Sequence, residues 1–362
     1  MDWQSRDRTE ARSNLLGSRS VLSLAFTCPR PTSRLRLVHA SGNSNAPSLG
    51  QVVFDGLMAE RKQLPCHFLY DATGSRLFER ICELPEYYLT RAELSILRAQ
   101  ADALIPGGPW PLELIELGSG SSIKTRVLID AALRVHPEVH YFPIDVSSTI
   151  LTESAQSIAR EFPKLRVTGI VGDYSSGLEW LAHRRRGLVD RLVLFLGSTI
   201  GNFEPQSAES FLRSITQVIP NSRDALLFGT DLIKSPARLE AAYDDSQGIT
   251  AQFIRNLLVR INRELGGSFD PMSFTYQARF HEELGRVEMH LISRWDQEVE
   301  ISAIRQTVTL AAGESIHMES SRKFSVAGLR LLARQAGYLE EGAWLDLHGD
   351  YRLQRWRASG DR

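Results

Sequence analysis

The sequence predicts an α/β protein: a doubly wound, Rossmann-like parallel sheet with a second, inserted α+β lobe. Three observations carry that expectation. Apolar strands alternate with amphipathic helices over residues 112–232. A glycine-rich turn joins the first of those strands to its helix. After Lys234-Ser235-Pro236 the alternation gives way to a long helical stretch and then to strands. The 362-residue length also favours two domains, or one with a large insertion, over a single simple core. With 43% hydrophobic and 23% charged residues, a wholly disordered or fibrous chain is excluded.

Residues 1–46 hold seven Arg, no Lys, and only Asp2, Asp7 and Glu10 as acids. An Arg- and Ser-rich, acid-poor leader fits a transit peptide, but a disordered tail or an over-extended start is the preferred expectation. Apolar positions recur at helical spacing over 75–83 and 91–105. Residues 112–117 form a buried strand and 124–135 a helix. Strands at 139–146 and 165–172 flank a helix at 148–160, and strands at 190–197 and 225–232 flank one at 207–219. Right-handed crossovers align the C-terminal ends of parallel strands on one edge, where ligands bind. Residues 237–265 read as one long helical region and 274–323 as strands. A helix at 325–336, with Ser325 as its N-cap, and a strand pair around 343–356 complete the chain. The expected division is a tail at 1–46, a substrate lobe from 47–91 plus 236–323, and a sheet domain from 92–235 plus 324–362.

Composition narrows the function. Lys plus Arg number 42 against 43 acids, which gives no electrostatic footprint for nucleic acid. Three cysteines without a CxxC pair and nine scattered histidines predict neither a disulfide framework nor a metal site. No run of about 18 apolar residues predicts a membrane span. A cytoplasmic monomer acting on a small molecule is expected.

The chemistry starts at Glu116-Leu117-Gly118-Ser119-Gly120-Ser121-Ser122-Ile123-Lys124-Thr125. Glycines there let a ligand approach the backbone, and helix N–H groups face it. A dinucleotide fingerprint needs Gly or Ala where Ile123 stands, and a P-loop needs Gly at that same position. S-adenosylmethionine is the better match. Asp145 ends the second strand, where a carboxylate accepts from ribose hydroxyls, and Asp173 ends the third, within reach of an adenine amino group. Each acid alone also fits a helix N-cap. After the fourth strand, Gly197-Ser198-Thr199-Ile200-Gly201-Asn202 places an amide beside the methyl donor, able both to accept and to donate.

Phe68-Leu69-Tyr70-Asp71-Ala72-Thr73-Gly74-Ser75-Arg76-Leu77-Phe78-Glu79 and Leu84-Pro85-Glu86-Tyr87-Tyr88-Leu89-Thr90-Arg91 resemble the N-terminal signature of the L-histidine Nα-methyltransferases of ergothioneine biosynthesis. The glycine loop, Gly197–Asn202, Ala242–Asp245, Val287–His290 and Glu319–Phe324 fit the same family, from about residue 50 to the C-terminus. The resemblance implies a class I methyltransferase sheet and three methyl transfers from S-adenosylmethionine to the α-amino group of histidine, giving hercynine. It implies Tyr70, Gly118, Lys124, Asp145, Asp173 and Tyr174 at the cofactor, with Lys124 on the donor's carboxylate. It also implies Asn202 and Tyr243 at the substrate's amino and carboxylate groups, Tyr87, Glu319 and Ser321 at the imidazole, and Met289 in the pocket wall. Tyr70 and Asn202 are the expected catalytic residues. Fungal relatives that methylate tryptophan derivatives share the fold, so another amino acid is the alternative substrate. A nucleotide-binding module using the loop as a degenerate P-loop is an alternative from a different class.

The residues themselves favour histidine. A buried imidazole needs two polar partners. Glu319 and Ser321, two apart on a strand, share one face, and the Tyr87 hydroxyl can serve the other ring edge. An indole offers one donor and no ring acceptor, so this polar set would be wasted on it; leaving a buried carboxylate unmatched costs about a few kcal/mol.

Overall fold

The computed structural model describes residues 34–40, 48–184 and 187–359. Segments that bury both faces form the centre of the sheet. These are β2 (Leu112–Leu117), β3 (Val139–Asp145), β4 (Arg166–Val171), β5 (Asp190–Phe195) and β6 (Ala225–Asp231), whose residues are almost all buried. The sheet has eight strands in the order β1-β4-β3-β2-β5-β6-β13-β12. The first six run parallel, and β13 (Tyr351–Ala358) and β12 (Tyr338–Leu345) close the far side antiparallel. The helices α3 (Leu89–Leu104), α4 (Thr125–Val135) and α5 (Ser148–Glu161) cover one face. The other face carries α6 (Tyr174–Ala182), α7 (Pro205–Ile215) and α10 (Val326–Ala336), the last capped by Ser325 on Gly328 N–H. Strand order reverses at β2, so β2 and β5 part at the edge where ligands bind in doubly wound folds.

The segments before and after this sheet pack together. α1 (Leu49–Leu57) lies on the single turn Ser302–Ile304, and α2 (Ala72–Glu83) packs along α9 (Ile249–Leu265). Gln63 bridges to His317 on β11 (Ser315–Arg322), which pairs with β8 (Arg286–Ser293) and then β7 (Phe274–His281) in an antiparallel sheet. A hairpin of β9 (Gln297–Ile301) and β10 (Gln306–Leu310) stands beside it. This lobe does not close a core of its own. Val53, Leu257 and Phe274 belong to the same apolar cluster as Leu97 and Leu194, and the described residues form one compact unit.

Three sequence expectations change. The tail assigned to 1–46 contains a strand, β1 (Leu35–His39), paired parallel to β4 from Leu35↔Val167 to His39↔Val171. It covers the backbone groups that the β4 edge would otherwise leave unpaired; residues 1–33 and 41–47 lie outside the described residues. The long helix expected over 237–265 is two, α8 (Pro236–Tyr243) and α9, because Gly248 takes φ 68° and the Asp245 carboxylate caps Ile249 and Thr250 N–H. α6, which periodicity did not reveal, starts at Asp173, whose side chain accepts from Ser176 N–H.

Candidate active site

Four strand ends build one wall. After β2 the chain turns through Gly118 (φ 70°) and Gly120 (φ 48°), left-handed conformations that a side chain disfavours. A Cβ at Gly118 would stand 2.9 Å from the Tyr174 hydroxyl, whereas the Cβ position of Gly120 faces open space. Asp145, at the end of β3, holds this loop: Oδ2 accepts from Gly120 N–H at 2.9 Å and Oδ1 from Ser147 N–H at 2.8 Å. Each oxygen keeps a further lone pair for a ligand. Burial pushes its carboxyl above the usual range, with the backbone N–H bonds opposing. Asp173 caps α6 through Oδ1, so the N-cap role weighed for it on sequence is real. Glu116 is buried and accepts from the Thr125 and Tyr141 hydroxyls, with burial pushing its carboxyl up to about 7.

Lys124 begins the helix after the glycine loop and lies against the Gly197–Asn202 loop, its Nζ 3.5 Å from a Cβ placed on Gly197. Its ammonium pairs with Glu93 of α3. That carboxylate, fully buried, also accepts from Gly197 N–H at 3.0 Å and the Tyr351 hydroxyl at 2.8 Å. One acid therefore ties the glycine loop to the Gly197–Asn202 loop, leaving Lys124 donors available to a carboxylate.

Across this edge lies a cleft. Tyr70, Tyr87, Asn202, Tyr243, Met289, Glu319 and Ser321 all line it, brought together from six separate stretches of chain. Gly201 lets the Thr199–Asn202 turn sit on β11, since a Cβ there would meet the Arg322 carbonyl at 2.7 Å. A bulge between His317 and Glu319 turns Glu319 and Ser321 inward together, while Ser320 faces the other side and bonds His317. Asn202 Nδ2 donates to Glu319 Oε1 at 2.8 Å. Burial pushes the Glu319 carboxyl up to about 7, with Lys323 and Asn202 pulling the other way. Tyr70 stacks edge-on against Phe78 and Phe253, and burial holds its phenol well above the ordinary value, so it remains a hydroxyl. Tyr87 meets Tyr243 edge-on, ring centres 6.0 Å apart.

Gly118, Lys124, Asp145, Asp173 and Tyr174 stand on the strand edge rather than in the cleft lining, and the Gly197 loop joins the two regions. Sequence reasoning missed Glu93, Asp231 and Lys323. Glu93 was detectable as an acid on the apolar stripe of α3 with Ile96 and Leu97, and Lys323 as the next same-side residue after Glu319 and Ser321. Asp71 of the N-terminal signature is structural: it caps α2 on Gly74 N–H and accepts from Asn256 and Arg263 of α9. Among the described residues, no group of three His, Cys, Asp or Glu is arranged to hold a metal, and no helix is long and apolar enough to cross a membrane.

A switch-point glycine loop, an acid closing the next strand and a facing cleft that gathers tyrosines with Asn202 and Glu319 define an S-adenosylmethionine-dependent methyltransferase of the class I fold. Residues 49–358 match the family described as histidine-specific methyltransferase, SAM-dependent, and the chain belongs to that family. It is 39% identical over 315 residues to the histidine N-alpha-methyltransferase of Mycolicibacterium smegmatis, covering 87% of this chain and 96% of that one. It is 35% identical to ergothioneine biosynthesis protein 1 of Schizosaccharomyces pombe, over 62% of this chain and 30% of that protein. The 4-dimethylallyltryptophan N-methyltransferase of Aspergillus fumigatus is 26% identical, over 82% of this chain and 90% of that one.

Proposed function

We propose that this enzyme methylates the α-amino group of L-histidine three times, giving hercynine, and that it works in the cytoplasm as a monomer supplying ergothioneine biosynthesis. One observation supports this most: a buried carboxylate and a buried hydroxyl, Glu319 and Ser321, stand side by side in a cleft whose other polar wall is Asn202. An imidazole satisfies both, whereas an indole leaves one unmatched.

The glycine loop, Asp145 and Lys124 fit the cofactor. Gly120 offers space no side chain fills, Asp145 keeps lone pairs for a ribose diol, and Lys124 is a cation for the amino-acid carboxylate. When bound, S-adenosylmethionine supplies an electrophilic methyl group on a sulfonium. Tyr174 and Asp173 would border the adenosine side, and Tyr70 would stand between cofactor and amine. Asn202, its Nδ2 held by Glu319, turns its carbonyl oxygen to the amine and aims the lone pair. Tyr243 would hold the carboxylate, and Tyr87 with Met289 the ring. The amine must react uncharged, and α-amines release their proton near pH 8, a value that desolvation of the cation lowers. Catalysis is then positioning and water exclusion without a covalent intermediate. The quaternary product has no N–H left for Asn202, which favours its release. Mass spectrometry of histidine incubated with donor and enzyme tests this: one, two and finally three methyl groups on the α-nitrogen are expected, and unmodified histidine contradicts it.

A further inference from the structure

Behind the cleft lies a buried polar cluster that the proposed chemistry does not use. Lys323, on the segment leaving β11, has a fully buried side chain. Its ammonium donates to three oxygens: Asp231 Oδ2 at 2.9 Å, the Tyr243 hydroxyl at 2.6 Å and Ser321 Oγ at 3.0 Å. An ammonium has three donors and no acceptor, so all three are committed. Asp231, at the end of β6 and fully buried, also accepts from Tyr88 and Lys234. Burial alone would pull the Lys323 ammonium down, but Asp231 and Tyr243 hold it above its ordinary value, so it stays a cation.

Both hydroxyls that accept from Lys323 line the cleft, and they lie 2.9 Å from each other. Each has therefore committed a lone pair to the ammonium and kept its own proton. With the cleft empty, one proton bridges the pair; with a ligand present, either hydroxyl can turn its proton to it. The wall they form is a donor wall. Glu319, two residues before Ser321 on the same strand face, forms an acceptor wall when ionised.

We propose that Lys323 is a specificity-determining residue, which polarises the Tyr243–Ser321 pair so that the cleft accepts only a ring bearing one N–H and one bare nitrogen. A neutral imidazole meets that requirement, with its N–H on Glu319 and its bare nitrogen on the Ser321 hydroxyl, while the Tyr243 hydroxyl turns its proton to the substrate's carboxylate. This inference rests on the histidine reading and extends it. A ring with an N–H but no acceptor nitrogen leaves the donor wall unpaired, and a site built around hydrogen bonds rejects such analogues strongly.

The test compares kcat/KM for histidine with that for β-(pyrrol-2-yl)alanine and β-(pyrrol-3-yl)alanine, which keep the ring N–H at either position and lack the acceptor. Wild-type enzyme should prefer histidine by at least tenfold over both. Lys323→Met should reduce that preference by at least tenfold and raise the histidine KM, while the affinity for S-adenosylhomocysteine changes less than twofold. A purely structural role would lower activity on all three substrates alike and leave the ratio unchanged, and that result overturns the proposal. Should Lys323→Met fail to bind S-adenosylhomocysteine, the double variant Asp231→Asn/Lys323→Met, which removes both charges together, carries the same expectation. A wild-type enzyme that uses a pyrrolylalanine as well as histidine also overturns the proposal, with no variant needed. Wild-type enzyme that leaves histidine unmodified instead defeats the underlying histidine reading.

Discussion

The two ligand walls are built by different means. The strand edge proposed to receive the cofactor is made mostly of backbone: left-handed glycines, N–H groups fastened to Asp145, and a helix start at Lys124. The facing cleft is made of side chains from distant segments, buried and held by one another, as Asn202 is by Glu319 and Tyr243 by Lys323. Backbone sites tolerate little change at few positions. Side-chain sites distribute their specificity, so single changes should alter selectivity before they abolish binding.

That contrast can be broken first at Asp145. Asp145→Ala removes the carboxylate and the anchor of the glycine loop, and charge-assisted hydrogen bonds of this kind contribute about 3 kcal/mol. S-adenosylhomocysteine affinity should fall about 100-fold by calorimetry, the factor that energy implies. A change below threefold would remove Asp145 from the cofactor site. Gly118→Ala comes next. The positive φ costs about 1–2 kcal/mol and the new methyl displaces the Tyr174 hydroxyl, so a loss of about 10-fold to 30-fold in cofactor affinity is expected. Full affinity in that variant would show that the turn is not a cradle.

On the cleft side, Glu319→Ala should raise the histidine KM at least tenfold, about 1.4 kcal/mol, with cofactor affinity unchanged. An equal loss of both affinities would mean that the two walls are not separable. Tyr70→Phe is a smaller change. The phenol is held protonated by burial, so it orients rather than removes protons, and kcat should fall about three- to tenfold with KM nearly constant. A larger fall that steepens with pH would point to a phenolate base.

Glu319 also carries a pH signature. Its carboxyl is raised in the folded enzyme from 4.5 to about 7, chiefly by burial. The native state therefore holds a proton that the unfolded chain releases, and folding stability falls as pH rises through that window. Between pH 5 and pH 8 the ligand-free enzyme should lose melting temperature, and Glu319→Gln should lose less. A steeper loss in the variant would contradict the assignment. In activity the sense is opposite: kcat/KM for histidine should fall as pH drops below about 7, because the acceptor wall is then protonated.

The same contrast explains what could be read without coordinates. Gly118, Asp145 and Asp173 each stand at the end of a strand whose apolar run is visible in the sequence, so the cofactor edge was legible from local pattern. The cleft was not. Tyr70, Asn202, Tyr243 and Glu319 share no local spacing, and their grouping came from family resemblance, with only the Glu319–Ser321 alternation speaking for itself. Strand β1 was hidden because its five residues lie in an Arg- and Ser-rich leader and only the open edge of β4 recruits them. The break between α8 and α9 was hidden because Asp245 and Gly248 act through a cap and a positive φ, which apolar periodicity does not register.

The most direct test of the central claim is a product analysis in which enzyme and donor are offered histidine and tryptophan together, with the site of methylation resolved by fragmentation. The account predicts histidine carrying three methyl groups on its α-nitrogen, an unsubstituted ring, and unmodified tryptophan. Methylation of the imidazole, or of tryptophan in preference to histidine, would contradict it.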